Sequence, residues 1–254
     1  MPVSRLRHLS VLSLLALAAL ASAAGRADIY DAAVAHAGRP DKDLQRDALD
    51  HPAEVLRLTG IKPGMQVADV MGGTGYYAEL LSYIVGPKGR VYLVNNQAFE
   101  TWSEGKWQAR TARLPNIEHR VEDLEHLSMA AHSLDAVLLI KVYHDLYWVS
   151  EDPEDHWPRY DVNRVLDEVA RVLKPGGVLL VVDHSAKPGS GSSAAGSLHR
   201  IDEAFAQADF EKHGFRVAAK SDALRRPDDP RDSITYKGPM VGKTDRFVLV
   251  LRKS

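Results

Sequence analysis

The sequence predicts an α/β protein: a doubly wound, mostly parallel, seven-stranded sheet that ends in an antiparallel hairpin. Three observations predict it. Apolar runs of strand length alternate with segments of helical spacing, which is the pattern of βαβ units. AVLLI (136–140) and VLLVV (178–182) are apolar at every position, as central parallel strands covered on both faces must be. The last two strand-like runs, RVAAKSD (216–222) and DRFVLVLRK (245–253), have no helix between them, so they are expected to pair antiparallel.

The elements follow in order. Residues 28–58 read as helical, with Pro40 as a break because it lacks an N–H. Pro63-Gly64 turns the chain into the first strand, MQVADVM (65–71), which runs into GGTG (72–75). YYAELLSYIV (76–85) has helical spacing and stops at Gly86-Pro87. RVYLVN (90–95), NIEHRVED (116–123) and LDAVLLIKV (134–142) are the next strands. VNRVLDEVARVL (162–173) is an amphipathic helix closed by Lys174-Pro175-Gly176-Gly177, and VLLVVD (178–183) is the fifth strand. IDEAFAQADFEKHG (201–214) is a helix with a terminal glycine. In such a sheet a ligand binds at the carboxyl ends of the strands, so chemistry is sought just after each of them.

Composition narrows the function. The chain has 32 Lys+Arg against 34 Asp+Glu, so no basic surplus points to nucleic acid, and none is expected as a partner. With no cysteine, disulfides, thiolate metal sites and a cysteine nucleophile are excluded.

Residues 1–23 form a separate unit. Arg5, Arg7 and His8 precede an uncharged apolar run with Ala21 and Ala23 at an A-x-A site, which is the pattern of a cleavable secretory signal. Losing Arg5 and Arg7 would take the 32 basic residues to 30 and the net charge from −2 to −4. The expectation is a periplasmic or secreted protein. Residues 24–254 then form a single domain, 24–58 being its helical N-terminal segment, with no stable membrane anchor after cleavage.

The first strand ends in Asp69-Val70-Met71-Gly72-Gly73-Thr74-Gly75. A glycine-rich turn lets backbone N–H groups approach a ligand, and the helix that follows favours an anionic group at its N-terminus. With these residues the chain resembles a class I S-adenosylmethionine-dependent methyltransferase over roughly residues 50–254. Asp69–Gly75 is similar to the family's D-x-G-x-G-x-G turn. RVEDLEHL resembles the segment after the third strand, and RVLKPGGVLLVVD the helix, turn and fifth strand. LHRID and TDRFVLVLRK resemble an exported bacterial branch.

The resemblance implies S-adenosylmethionine as cofactor and an unidentified small-molecule methyl acceptor. Gly72, Gly73 and Gly75 would approach the methionine moiety, with Asp69 supporting the turn. Asp123 and Leu124 would meet the adenine, and Lys141 is grouped with the cofactor residues. Two departures stand out. Met71 replaces the first glycine. Asn95 stands where the family usually has Asp or Glu on the ribose hydroxyls; it keeps one carbonyl acceptor but loses a charge-assisted bond. Restoring the acid, Asn95→Asp, should on this reading tighten cofactor binding.

The sulfonium is already a good leaving group, so the protein must supply positioning and a base. His144 is the expected base, with Tyr143 and Asp145 beside it. Tyr147 and Trp148 would wall the acceptor, joined by His184 after strand five and by His199 and Arg200 after a Gly/Ser-rich loop (188–197). No metal is expected: no H-x-x-x-H or H-E-x-x-H spacing exists, and His144, Asp145, Asp183, His184, His199 and Asp202 would have to converge by folding alone. The alternative is a different enzyme or ligand-binding protein on the same scaffold, with an altered cofactor site.

Overall fold

The computed structural model describes residues 28–150 and 157–254; the expected leader, 1–23, lies outside them. Seven strands form one sheet: β1 (Gln66–Val70), β2 (Arg90–Asn95), β3 (Ile117–Val121), β4 (Leu134–Ile140), β5 (Leu173–His184), β6 (Phe215–Ser221) and β7 (Arg246–Lys253). Their spatial order is β3-β2-β1-β4-β5-β7-β6. The first five pair in parallel, and β7 runs antiparallel between β5 and β6. The order reverses direction between β1 and β4. That is the switch point at which open α/β sheets leave a crevice.

Alternate residues of the central strands feed two cores. Ala68, Val70, Val137, Leu139, Leu179 and Val181 face one side. Val67, Ala136, Leu138, Val178, Leu180 and Val182 face the other. A strand's period of two makes this division, and burial on both faces explains why these runs are apolar throughout.

The helices on the second face are α1 (Ile29–Val34), α2 (Asp41–Asp50), α3 (Pro52–Arg57) and α4 (Tyr76–Val85). Beyond β2 come α5 (Gln97–Ser103) and α6 (Gln108–Arg113). Then follow α7 (Val162–Val172), α8 (Ala195–Leu198) and α9 (Glu203–Lys212). α7 buries Val165, Leu166, Val169 and Val172, one stripe of a 3.6-residue period, against the first core. A buried Leu or Val in that stripe contributes roughly 1.5–3 kcal/mol.

Two local readings change. The segment 44–58 is two helices, not one. His51 takes the left-handed conformation (φ 43°) before Pro52, which has no N–H and disfavours a helical residue ahead of it. Lys174–Gly177 is a bulge inside β5 rather than a turn before it: Leu134 pairs with Leu173 and Ala136 next pairs with Val178. Gly176, at φ 72°, is the residue that permits the bulge.

Candidate active site

β1 delivers the glycine turn. Asp69 is buried beneath it and accepts a hydrogen bond from the Ala78 N–H at 3.0 Å. Burial pushes its carboxyl up to about 7. Gly72 has no room for a side chain, since a Cβ would lie 2.5 Å from Asp69 Oδ2 and 2.6 Å from Leu93. Met71 adopts φ 54°, the left-handed geometry that glycine takes without strain. The departure in sequence thus keeps the turn's backbone, at a conformational cost of about 1–2 kcal/mol.

Asn95 is fully buried under the same turn. Its Oδ1 accepts from the Gly73 N–H at 2.9 Å and its Nδ2 donates to the Gly73 carbonyl at 3.1 Å. The carboxamide therefore clamps the two consecutive peptide units that flank the Gly73 Cα. A carboxylate cannot, because it has no N–H. Asn95 is not among the residues that line the cavity described next.

The cavity, of about 510 Å³, opens at the carboxyl ends of β1, β4 and β5. Of the residues expected there, Asp69, Gly72, Gly73, Lys141, His144, Asp145, His184 and His199 line it. At one wall His144 is buried, and its Nδ1 lies 2.7 Å from Asp183 Oδ1. The other Asp183 oxygen accepts the His144 backbone N–H at 2.8 Å. A carboxylate only accepts, so Nδ1 carries a proton and Nε2 faces the cavity side. There Nε2 sits 3.2 Å from Asp145 Oδ1 and 3.3 Å from His199 Nδ1. Burial draws the imidazole's pKa down, but Asp183 and Asp145 overcome it and raise it to about 10. Burial, with like charge from His144 and Lys141, holds His184 neutral, well below its usual value.

The opposite wall is cationic. Asp50, at the end of α2, receives Arg46 at 2.6 Å, Lys141 at 3.0 Å and Arg246. Burial would raise the Asp50 carboxyl; the three cations hold it well below the usual range. Burial and Arg46 lower Lys141 to about 8. Three cations around one carboxylate leave this wall positive and suited to an anionic group.

Several expected residues lie elsewhere. Tyr143 is fully buried in the first core, its hydroxyl 2.7 Å from Asp209, and Tyr147 also bonds Asp209. They strap α9 to the 3-10 turn His144–Tyr147 and do not wall the cavity. Arg200 is fully buried and occupied: it pairs with Asp229 at 2.7 Å and donates to the Ser185 and Ser233 carbonyls. It ties down the 229–233 loop instead of facing an acceptor. Asp123 is exposed and bonds His126 at 3.0 Å, and Leu124 is in the first core. Trp148 lies beside His199, the ring centroids 5.4 Å apart and the planes tilted by 53°. Gly75 caps α4 at φ 83°.

The lining also includes Arg46, Asp50, Phe99, Trp102, Tyr236 and Arg246, none singled out in the sequence as site residues. Only the aromatic residues of the helix after β2 offered any signal. Asp50 and Arg246 are 196 positions apart, and no local pattern links them.

Residues 68–181 match the family described as "Methyltransferase domain". The ubiquinone/menaquinone biosynthesis C-methyltransferase UbiE of Haemophilus ducreyi is 29% identical over 163 residues, covering 61% of this chain and 57% of that protein. The protein of the same name from Ectopseudomonas mendocina is 29% identical over 167 residues, 63% of this chain and 59% of its own length. Residues 68–181 thus carry a methyltransferase domain, and over this stretch the chain is similar to S-adenosylmethionine-dependent methyltransferases. The chain spans less than two thirds of the length of either relative. Its fold is shared by a SAM-dependent methyltransferase from Aquifex aeolicus, with TM-score 0.56, 22% identity, and coverage of 84% of this chain and 98% of that one. The [4+2]-cyclase SpnF shares it too, at TM-score 0.54 and 17% identity over 86% of this chain and 84% of that one. The scaffold therefore bears more than one named chemistry, and the cavity's residues must decide.

Proposed function

We propose that the chain transfers a methyl group from S-adenosylmethionine to a small-molecule acceptor held at the His144–Asp145–His199 wall. The observation that carries the reading is the joint cavity. One space holds the Gly72–Gly73 turn over buried Asp69, a positive wall at Arg46, Lys141 and Arg246, and the imidazole–carboxylate cluster. The cofactor fits in kind: bare glycine backbone for close approach, and cations for its carboxylate. When bound, it supplies an electrophilic methyl on a sulfonium leaving group.

The chain's residues do the rest. The turn and the cationic wall fix the donor. Phe99, Trp102 and Tyr236 offer aromatic surface to a flat acceptor or to the sulfonium. His144, Asp145 and His199 orient the acceptor. The named reaction of the relatives makes quinol-type rings the first acceptors to try.

Calorimetric titration with S-adenosylmethionine and S-adenosylhomocysteine tests this reading. Saturable micromolar binding is the expected result. No binding up to millimolar concentration returns the protein to the alternative of a different enzyme or ligand-binding protein on the same scaffold. Export rests on residues 1–23, and N-terminal sequencing of protein recovered from a periplasmic extract should begin at Ala24. A start at Met1 or Pro2 would overturn it. Export also places the enzyme away from the cytoplasmic cofactor supply, so a positive titration would make cofactor delivery the next question.

A further inference from the structure

Three possible ligand atoms converge at the cavity wall: His144 Nε2, Asp145 Oδ1 and His199 Nδ1. Their separations are 3.2, 3.3 and 3.3 Å, a nearly equilateral triangle. Metal–ligand bonds of about 2.0–2.1 Å at tetrahedral angles place neighbouring ligand atoms about 3.3–3.4 Å apart. The triangle has the dimensions of one tetrahedral face before any ion is considered.

A second, independent observation points the same way. His144 donates its far nitrogen to Asp183, a carboxylate that also accepts the backbone N–H groups of His144 and His184. That carboxylate–imidazole pairing is the outer support metal-ligating histidines ordinarily have, since it fixes the tautomer and turns the free lone pair toward the ion. His199 is held in turn. It sits at φ 52°, a left-handed conformation that costs a non-glycine residue energy, and its ring lies between Trp148 and Tyr236, at centroid distances of 5.4 and 4.8 Å. Nothing in the local sequence demands this convergence, because the ligands come from the loops after β4 and β5, 55 residues apart.

We infer that His144, Asp145 and His199 form a binding site for a zinc-type divalent cation, with Asp183 as the positioning residue behind His144. Two imidazoles and one carboxylate are a borderline N/O donor set. All three side chains line the cavity, so a fourth position faces the space where an acceptor would lie. An acceptor oxygen or nitrogen would take that position. This last clause alone rests on the methyltransferase reading.

The experiment is Zn²⁺ titration by calorimetry of the untagged, chelator-treated full chain, with neither cofactor nor acceptor present. Co²⁺ absorption serves as a spectroscopic check. Wild type should bind one equivalent of Zn²⁺, and Co²⁺ should show the intense visible bands of a low-coordinate N/O site. His199→Ala and Asp145→Asn should each weaken binding at least about tenfold, and Asp183→Asn by about 10–100-fold. Absence of saturable binding, or an affinity unchanged in His199→Ala, overturns the site. His199 is the least buried of the ligands, so its variant is the one expected to keep the fold. Should its melting curve show otherwise, the wild-type Co²⁺ spectrum decides, because a hydrated six-coordinate spectrum refutes the site. Cofactor binding by the metal-free protein is measured separately, so the failure of one reading leaves the other standing.

Discussion

At the residue scale, Asn95 is where sequence and structure disagree most usefully. Its two amide functions match the two polar atoms of Gly73. Asn95→Asp would set a carboxylate oxygen against the Gly73 carbonyl and bring a second negative charge toward Glu100, whose Oε2 is 3.4 Å from Nδ2. The expected outcome is a loss of about 1–3 kcal/mol in urea unfolding, the cost of an unpaired buried acceptor, with no tightening of S-adenosylmethionine. That reverses the expectation drawn from the family pattern. Asp69 permits a second prediction. Burial raises its folded pKa from 3.8 to about 7, so the ionised form costs stability. The cost is absent below the unfolded pKa and grows as pH rises through the interval from about 4 to about 7. Asp69→Asn keeps an acceptor for Ala78 and removes the charge. Its melting temperature should exceed that of wild type at pH 8 and match it near pH 4. Equal shifts at both pH values would refute the assignment.

At the scale of elements, the 3-10 turn His144–Tyr147 does the positioning. It follows β4 directly, and Lys141 enters it at φ 62°. One end is held by Asp183 on β5, the other by Asp209 on α9 through the two tyrosine hydroxyls. Tyr143 and Tyr147 therefore act as struts for the turn that carries His144 and Asp145. Asp209→Ala removes the carboxylate to which both phenols donate and should cost about 1–3 kcal/mol. Because the turn loosens, methyl transfer should fall as well. Tyr143→Phe should lower stability while sparing cofactor affinity. A variant that loses turnover at full stability would return Tyr143 to the chemistry.

For the whole molecule, Asp50 links the first helices to the last strand. It joins Arg46 on its own helix, Lys141 after β4 and Arg246 at the start of β7. A buried carboxylate with three cationic partners is costly to remove alone, because the cations are then left to repel one another out of water. Asp50→Ala is expected to destabilise the protein by about 3–5 kcal/mol. It should also make the segment 28–60 the first site of limited proteolysis. Cleavage elsewhere first would show that other contacts dock the segment. Since the three cations hold Asp50 below its usual pKa, its contribution is present above about pH 4 and is lost on further acidification.

The sequence by itself determined the sheet, its mostly parallel order with a terminal hairpin, and the glycine turn after β1. These follow from local signals: unbroken apolar runs of strand length, a helical stripe with a period of 3.6, and glycines at the turns. It also marked His144, Asp145, His184 and His199 as residues beyond strand ends, because topology alone places such positions at the crevice. Only the tertiary structure decided which way the side chains turn. Tyr143 and His144 are adjacent, yet one enters the core and the other the cavity. Arg200 follows His199, yet its guanidinium is spent on Asp229. The pairing of Asp50 with Arg246, the clamp of Asn95 on Gly73 and the meeting of His144 with His199 join segments distant in sequence. Their geometry is set by how whole elements pack, and no local period records it.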